Sequence, residues 1–135
     1  MMIPQRSARG TAMSHHLPKN AAVWFEIPVT DMGRAKAFYA TVTGHELEDQ
    51  EGAPNPMANF AVANMREGVA GHIYPGRPAA PGTGPTIHLA VLDLEAAMER
   101  VSSNGGQVVS PVISIPAGRF CYCLDPDGNS FGLFS

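Results

Sequence analysis

Two stretches of the chain share one order of hydrophobic and polar positions. Residues 22–29, AVWFEIPV, form an apolar, β-prone run, and a helical pattern follows. One face of that helix carries four apolar residues in the i, i+3, i+4, i+7 order: Ala35, Phe38, Tyr39 and Val42. Asp31 stands where a capping side chain is needed, and Gly44 stands where a helix can end. The pattern predicts a strand followed by an amphipathic helix.

The same order returns at a constant offset of 62 residues, as in Asp93 against Asp31. TIHLAV, at 86–91, is again β-like, and Gly105 and Gly106 end the helical pattern. The second stripe consists of Leu94, Ala97, Met98 and Val101. A match of strand, cap, stripe and terminal glycine without a gap indicates an internal duplication.

Each predicted helix is followed by three short β-like runs. They lie at 45–48, 57–64 and 69–74 in the first half, and at 107–109, 119–124 and 130–134 in the second. The sequence therefore predicts an α+β fold of two tandem βαβββ modules in one structural domain. We assign 1–20 to a disordered tail, 21–75 to the first module, 76–84 to a Pro- and Gly-rich linker and 85–135 to the second module.

Composition narrows the classes of function. The net charge is −3 and no basic run appears, so nucleic acid is not an expected partner. No apolar stretch is long enough to cross a membrane, and residues 1–20 lack the apolar core of a secretory signal. Cys121 and Cys123 would share one strand face as small apolar residues, which favours free thiols and a cytoplasmic location.

The C-terminal segment predicts a β-hairpin. DPDG separates two apolar, β-prone runs, 120–124 and 130–134. Pro126 presets the first corner of a type I turn, and Gly128 accepts the left-handed position that follows. Whether the last strand also carries a chemical group depends on what stands at its inward positions.

Three segments together resemble the vicinal oxygen chelate superfamily: WFEIPVTDMGRAKAFYATVTG, DLEAAMERVSSNGG and FCYCLDPDGNSFGLFS. Its members include glyoxalase I, bleomycin-resistance proteins, fosfomycin-resistance enzymes and extradiol dioxygenases. The resemblance covers 22–135 and implies paired βαβββ modules whose curved sheets enclose a cavity. It also implies a homodimer and, in the enzymes of the family, a divalent metal in the cavity.

The family's metal positions can be carried over to this chain. The resemblance puts the first-strand ligands at Trp24 and Thr86, the last-strand glutamate at Gly132, and a fourth position near Gly71 or His72. Tryptophan offers no lone pair, a threonine hydroxyl is a poor ligand, and glycine has no side chain. A catalytic divalent ion usually needs about three protein ligands. We therefore expect no metal or other cofactor, which argues against the family's metal-dependent reactions.

Alternation of side chains along the strands predicts other residues that could bind a ligand. Glu26 shares a face with Trp24, and His88 shares a face with Thr86. Glu26 and His88 are equivalent positions of the repeat, so we expect both to point into the cavity, in contact directly or through one water. Matching to fosfomycin-resistance proteins places Phe120 and Tyr122 inside as well. The predicted ligand-binding set is Trp24, Glu26, Thr86, His88, Phe120 and Tyr122, with Glu26 and His88 as candidate catalytic residues.

These residues also have structural interpretations. Glu26 would lie on the surface if the register were shifted by one, and His88 would be a hydrogen-bonded core residue. Two main functions follow: a metal-free binder of a small organic molecule in an aromatic cavity, or a lyase or dioxygenase-type enzyme. Such an enzyme would use Glu26 or His88 as general base, or would bind a metal unconventionally through these two and His72. A partner-regulated accessory domain is a third possibility.

Overall fold

The computed structural model of the chain describes residues 17–52, 55–64 and 66–135, so most of the predicted tail lies outside the described residues. The first module contains β1 (Trp24–Val29), α1 (Met32–Thr43), β2 (Leu47–Asp49), β3 (Ala58–Phe60) and β4 (Ala70–Pro75). Its sheet has the order β1-β4-β3-β2. Strands β1 and β4 are parallel, and the other pairs are antiparallel.

The second module repeats this arrangement. It contains β5 (Ile87–Ala90), α2 (Leu94–Ser103), β6 (Gln107–Val108), β7 (Ile113–Ile115), β8 (Gly118–Leu124) and β9 (Ser130–Phe134). Its sheet has the order β5-β9-β8-β6, with β7 also paired to β8. The predicted α+β fold of two repeated units is confirmed. The sheets are curved and do not close into a barrel.

The predicted helix boundaries hold at three of four ends. The Asp31 carboxylate accepts a hydrogen bond from the Arg34 backbone N–H, and Asp93 caps α2 in the same way. Gly44 ends α1 with φ at 81°. The end of α2 differs, because Asn104 is the capping residue and Gly105 takes the left-handed conformation one position later.

Strand β7 was not predicted from the sequence. It and β6 pair with opposite ends of β8, and Pro111 lies between them. Proline has no backbone N–H and so interrupts a ladder of hydrogen bonds. The Ser110 hydroxyl fills the gap by accepting the backbone N–H of Tyr122 at 2.8 Å. One edge is thereby divided into two strands too short to give a periodic pattern.

One hydrophobic core joins the two modules. The predicted stripe of α1 is fully buried, and most of the α2 stripe is buried with it. The Tyr39 ring packs edge-on against Phe60 of the first module and Phe131 of the second, with centroids 5.6 and 5.7 Å apart. Both helices and the helix-facing side of both sheets belong to this core, so the opposite face of each sheet lies outside it.

A buried carboxylate connects the C-terminal hairpin to α1. Asp125 is only 4% exposed and accepts the Tyr39 hydroxyl at 2.6 Å. It also accepts the backbone N–H groups of Asp127 and Asn129 and the side-chain amide of Asn129. Burial, followed by the charge of Asp125, raises the pKa of Tyr39 well above its usual value. The hydroxyl therefore remains a donor across the ordinary pH range.

Two further contacts attach the same turn to the first module. The Asn129 amide donates to the Pro28 carbonyl at 2.8 Å. Asp127 accepts from Thr30 and forms an ion pair with Arg34 at 2.9 Å. Gly128 adopts the predicted left-handed conformation, with φ at 86°. The DPDGN turn thus acts as a structural bridge between the modules.

Cys121 and Cys123 lie in the core as predicted for two residues on one strand face. Both are free and fully buried, with their sulfur atoms 3.8 Å apart. Burial raises the pKa of both thiols. In the part of the chain that the structure covers, no helix is long and apolar enough to cross a bilayer.

The hydroxyl of Tyr39 is expected to stabilise the joined modules. Tyr39→Phe leaves the buried Asp125 carboxylate without one of its donors and should lower the free energy of unfolding by about 1–3 kcal/mol. Urea unfolding measures the loss. Tyr74→Phe makes the same change at a half-buried position on β4 and serves as the control. Equal losses in the two variants would contradict the role of this hydrogen bond.

The two buried thiols predict a loss of stability in alkaline solution. Their pKa values are raised on folding, so above about pH 8.5 the unfolded chain loses protons that the folded protein retains. The free energy of unfolding should then fall by about 1 kcal/mol per pH unit for each thiol. Urea unfolding is measured between about pH 8.5 and 10. Cys123→Ala keeps only one of the two thiols, so it should lose stability with about half the slope of the unmodified protein.

Val101→Ala is the control for this pH experiment, since it also removes buried atoms from the core but carries no titrating group. It should lower stability without changing the slope. If Cys123→Ala and the unmodified protein lose stability with the same slope, the thiols are not responsible.

Candidate functional site

The candidate residues lie on the sheet faces turned away from the core, which we call the outer faces. On β1, Ile27 and Val29 are buried in the core, whereas Trp24 and Glu26 are exposed on the other side. On β8, the two cysteines are buried, and Phe120 and Tyr122 occupy the opposite face. Strand alternation therefore places the predicted side chains on the outer faces.

On the first outer face, His72 contacts two of the candidate residues. Strands β1 and β4 are parallel and place Glu26 directly beside His72. The Trp24 indole Nε1 donates to His72 Nδ1 at 2.9 Å, and His72 Nε2 lies 3.1 Å from a Glu26 carboxylate oxygen. His72 is only 6% exposed. Both of its ring nitrogens are thus engaged.

The hydrogen bond from Trp24 determines the protonation state of this arrangement. An indole N–H is a donor only, so Nδ1 of His72 must accept and carries no proton. The ring proton of His72 therefore lies on Nε2, which is 3.1 Å from a Glu26 carboxylate oxygen.

On the second outer face, His88 lies within an aromatic group. Its ring packs edge-on against Phe120 and Tyr122, with centroids 5.4 and 5.6 Å away. Phe120 stacks in turn on Phe134 at 6.1 Å. A Cβ atom on Gly132 would overlap the His88 ring. The space of the family's glutamate is therefore occupied by a histidine from the neighbouring strand.

Thr86 lies at the edge of this second face. Its hydroxyl is hydrogen-bonded to the Ser130 hydroxyl at 2.5 Å. Thr86 is exposed, and Ser130 belongs to the adjacent parallel strand β9. The pair offers a polar rim beside the aromatic group.

The residues present do not fit a divalent metal at the family's position. Trp24 is a donor, the Thr86 hydroxyl is paired with Ser130, and Gly132 has no side chain. The lone pair of His72 Nδ1 is already used by Trp24. Throughout the described ranges, no three His, Cys, Asp or Glu side chains come together as a metal ion requires. The donor set itself therefore argues against the family's metal chemistry.

The expected contact between Glu26 and His88 is not formed within the described part of the chain. The partner of Glu26 is His72, and the ring neighbours of His88 are aromatic residues of its own sheet. Glu26 lines a cleft of about 150 Å³, and His88 lines a different cleft of about 360 Å³. Equivalent positions of the repeat lie on separate sheets. Glu26 contacts the strand paired with its own, whereas the His88 ring reaches across Gly132 of β9 to the aromatic rings of β8.

Some residues of the site were missed or only half identified from sequence. His72 was one of two register alternatives, and Phe134 was not named as part of the aromatic group. The linker was treated as a connection only, yet Ala79, Thr83 and Gly84 line the cleft beside Glu26. The pairing of β1 with β4, once known, would have identified His72.

The structural role of the Trp24 hydrogen bond can be tested directly. His72→Phe removes the acceptor, so the indole N–H resonance should move upfield and exchange faster with solvent, with a stability loss of about 1 kcal/mol. Proton–nitrogen NMR is unambiguous because the chain has one tryptophan. His88→Phe, on the other sheet, should leave the resonance in place. An unmoved indole resonance in His72→Phe would disprove the contact.

Comparison with known proteins agrees with the fold. Residues 21–133 match the model of the Glyoxalase/Bleomycin resistance protein/Dioxygenase superfamily. A protein of Mycobacterium bovis named as a glyoxylase, CFP32, is 32% identical over 115 residues. That match covers 82% of this chain but only 44% of the mycobacterial protein. A glyoxylase-like domain-containing protein of Didymella fabae is 29% identical over 118 residues, covering 80% of this chain and 88% of that protein.

A solved structure extends the likeness to three dimensions. TnmS3, described as an antibiotic binding protein from Streptomyces sp. CB03234, superposes with a TM-score of 0.62 at 27% identity. The match covers 87% of this chain and 98% of TnmS3. From the family model and the shared fold, the chain belongs to the Glyoxalase/Bleomycin resistance protein/Dioxygenase superfamily.

Proposed function

We propose that this chain binds a small organic molecule against its aromatic outer faces, without a divalent metal at the family's position. The observation that carries the proposal is the hydrogen bond from Trp24 to His72. It places an N–H donor at the position where the family's enzymes have a metal-binding side chain, and it uses the lone pair of His72 Nδ1. A binder needs such a fixed aromatic surface but no reaction centre.

The composition of the two faces supports a small-molecule ligand. Aromatic rings predominate: Trp24, Tyr74, Phe120, Tyr122 and Phe134. A few polar groups accompany them, among which Glu26 and His88 remain the residues that we propose for binding. Largely apolar sites with a few fixed polar groups suit small organic ligands. The description of TnmS3 as an antibiotic binding protein supports the same class of function.

We further propose that two copies of the chain assemble around the ligand. Trp24 and Tyr122 are still 38% and 37% exposed on the outer faces. Covering these rings with a second copy would remove apolar surface from water and turn two open faces into one cavity. In such a dimer we propose that Glu26 of one copy faces His88 of the other, in place of the contact within one chain that the repeat suggested. We place the protein in the cytoplasm, where the free thiols of Cys121 and Cys123 would remain reduced.

An enzymatic function is the second candidate. The Glu26 side chain is 64% exposed and accepts a hydrogen bond from His72. A carboxylate that is oriented but still accessible can act as a general base. A lyase-type reaction without metal would use it in this way. Turnover of a bound compound, lost in Glu26→Gln while binding is retained, would favour this alternative over a binder.

Native mass spectrometry tests the metal and the assembly together. We expect a species of twice the mass of the single chain that carries no Mn, Fe, Ni or Zn. The measurement should use protein without residues 1–16, because the adjacent His15 and His16 could bind metal by themselves. A metal content near one per chain would contradict the metal-free site, and a clean monomer would contradict the dimer.

The assignment of Glu26 and His88 is tested by ligand screening. A thermal-shift screen of small acids, thiol conjugates and aromatic amides should yield compounds whose affinity falls about tenfold in Glu26→Gln and His88→Ala, as expected for the loss of one polar contact with the ligand. Glu48→Gln, an exposed change on β2, is the control. Unchanged affinity in both variants would show that these residues are not the site.

A further inference from the structure

We infer that the ligand carries a protonated amino group, which binds between the Glu26 carboxylate and the Trp24 ring. This inference rests on the proposed function and specifies the chemical class of its ligand. It follows from the charge of Glu26, the aromatic rings near this residue and the cleft beside it.

The first observation is that Glu26 lacks a cationic partner. Because His72 Nδ1 accepts from the Trp24 indole, the ring holds its proton on Nε2 alone, 3.1 Å from Glu26, and offers this carboxylate no full positive charge. No Lys or Arg nitrogen lies within 4 Å of the Glu26 carboxylate in the described ranges. Three cations of the chain are paired elsewhere: Arg34 with Asp127, Lys36 with Asp49, and Arg119 with Glu95.

The second observation concerns the rings around this carboxylate. Trp24 and Tyr74 both pack against His72, each with ring centroids 5.9 Å away. The indole N–H is used by the hydrogen bond to His72, and Trp24 is still 38% exposed, so a ligand can reach this ring. Aromatic faces attract cations and repel anions. An ammonium group near Trp24 would therefore gain both an ion pair and a cation–π contact.

The third observation is the cleft beside Glu26. It has a volume of about 150 Å³, and its walls are mostly apolar, with Pro28, Pro85 and Ile87 among them. Ser130 adds a hydroxyl at one side. The carboxylate therefore stands at the junction between an aromatic surface and a small apolar cleft. This arrangement suits an amine with an apolar substituent better than a small inorganic cation, which would require several oxygen ligands.

Other ligand charges fit less well. An anionic ligand would lie against the Glu26 carboxylate with no neighbouring cation to offset the repulsion. A neutral ligand would gain apolar contacts but would leave the carboxylate without a counter-charge. A cationic amine is the class that satisfies both the carboxylate and the rings.

The test compares three probes with one ring system: 1-naphthylmethylamine, 1-naphthalenemethanol and 1-naphthoate. Each is titrated into the full-length protein while the indole cross-peak of Trp24 is followed by proton–nitrogen NMR. The amine should bind about tenfold more tightly than the alcohol, and the carboxylate most weakly. Glu26→Gln should abolish the advantage of the amine, whereas Glu48→Gln should preserve it.

The outcomes separate this inference from the proposed function. If the three probes bind equally, or if Glu26→Gln retains the preference for the amine, the cationic ligand class is wrong while an aromatic binding face remains. If no probe moves the Trp24 resonance, the binding face itself is wrong and the inference fails with it. Glu26 is largely exposed, so the substitution should fold, and circular dichroism of the variant verifies this.

Discussion

The buried hydrogen bond between Tyr39 and Asp125 is the contact on which the arrangement of the two modules depends. It joins a helix of the first module to a hairpin of the second, and the Tyr39 ring also packs on Phe131. A buried carboxylate is tolerated only when its oxygens have donors, and the DPDGN turn supplies the remaining ones from its own backbone and from Asn129. Because this joint brings the helix-facing sides of both sheets into one core, the opposite faces lie outside that core, and it is on them that we propose a ligand binds.

Most of the fold could be predicted from sequence because its signals are local and repeated. The caps at Asp31 and Asp93, the buried stripes and the Gly128 turn each depend on a few neighbouring residues, and the duplication gave every signal a second occurrence. The features that were missed depend on distant partners. Strand β7 exists because β8 offers it hydrogen bonds, and its three residues are too few to show alternation. The joint at Asp125 could not be inferred, since nothing near Tyr39 in sequence indicates a buried hydroxyl partner.

The candidate site also has parts that local sequence patterns predict and parts that depend on distant partners. Alternation along a strand was sufficient to place Trp24 and Glu26 on one face and His88 on another. Alternation could not identify the neighbour across the sheet, because the parallel partner of β1 is the distant strand β4. Trp24 and His72, for example, are 48 residues apart in sequence. Equivalence in the repeat suggested that Glu26 would meet His88. Symmetry relates such positions but does not bring them together, so each contacts residues of its own sheet: Glu26 on the adjacent strand, and His88 on the strand beyond the adjacent one.

Tryptophan at position 24 has consequences beyond the loss of one metal ligand. Its N–H occupies the lone pair of His72, which removes a second ligand, and it fixes the histidine proton on the side of Glu26. On the other sheet, Gly132 has no side chain, so the His88 ring occupies the space in which a third metal ligand would lie. The first outer face therefore presents aromatic rings beside a carboxylate that has no Lys or Arg nitrogen within 4 Å in the described ranges. Trp24, His72 and Gly132 all lie on the outer faces, and none of them belongs to the core that joins the modules.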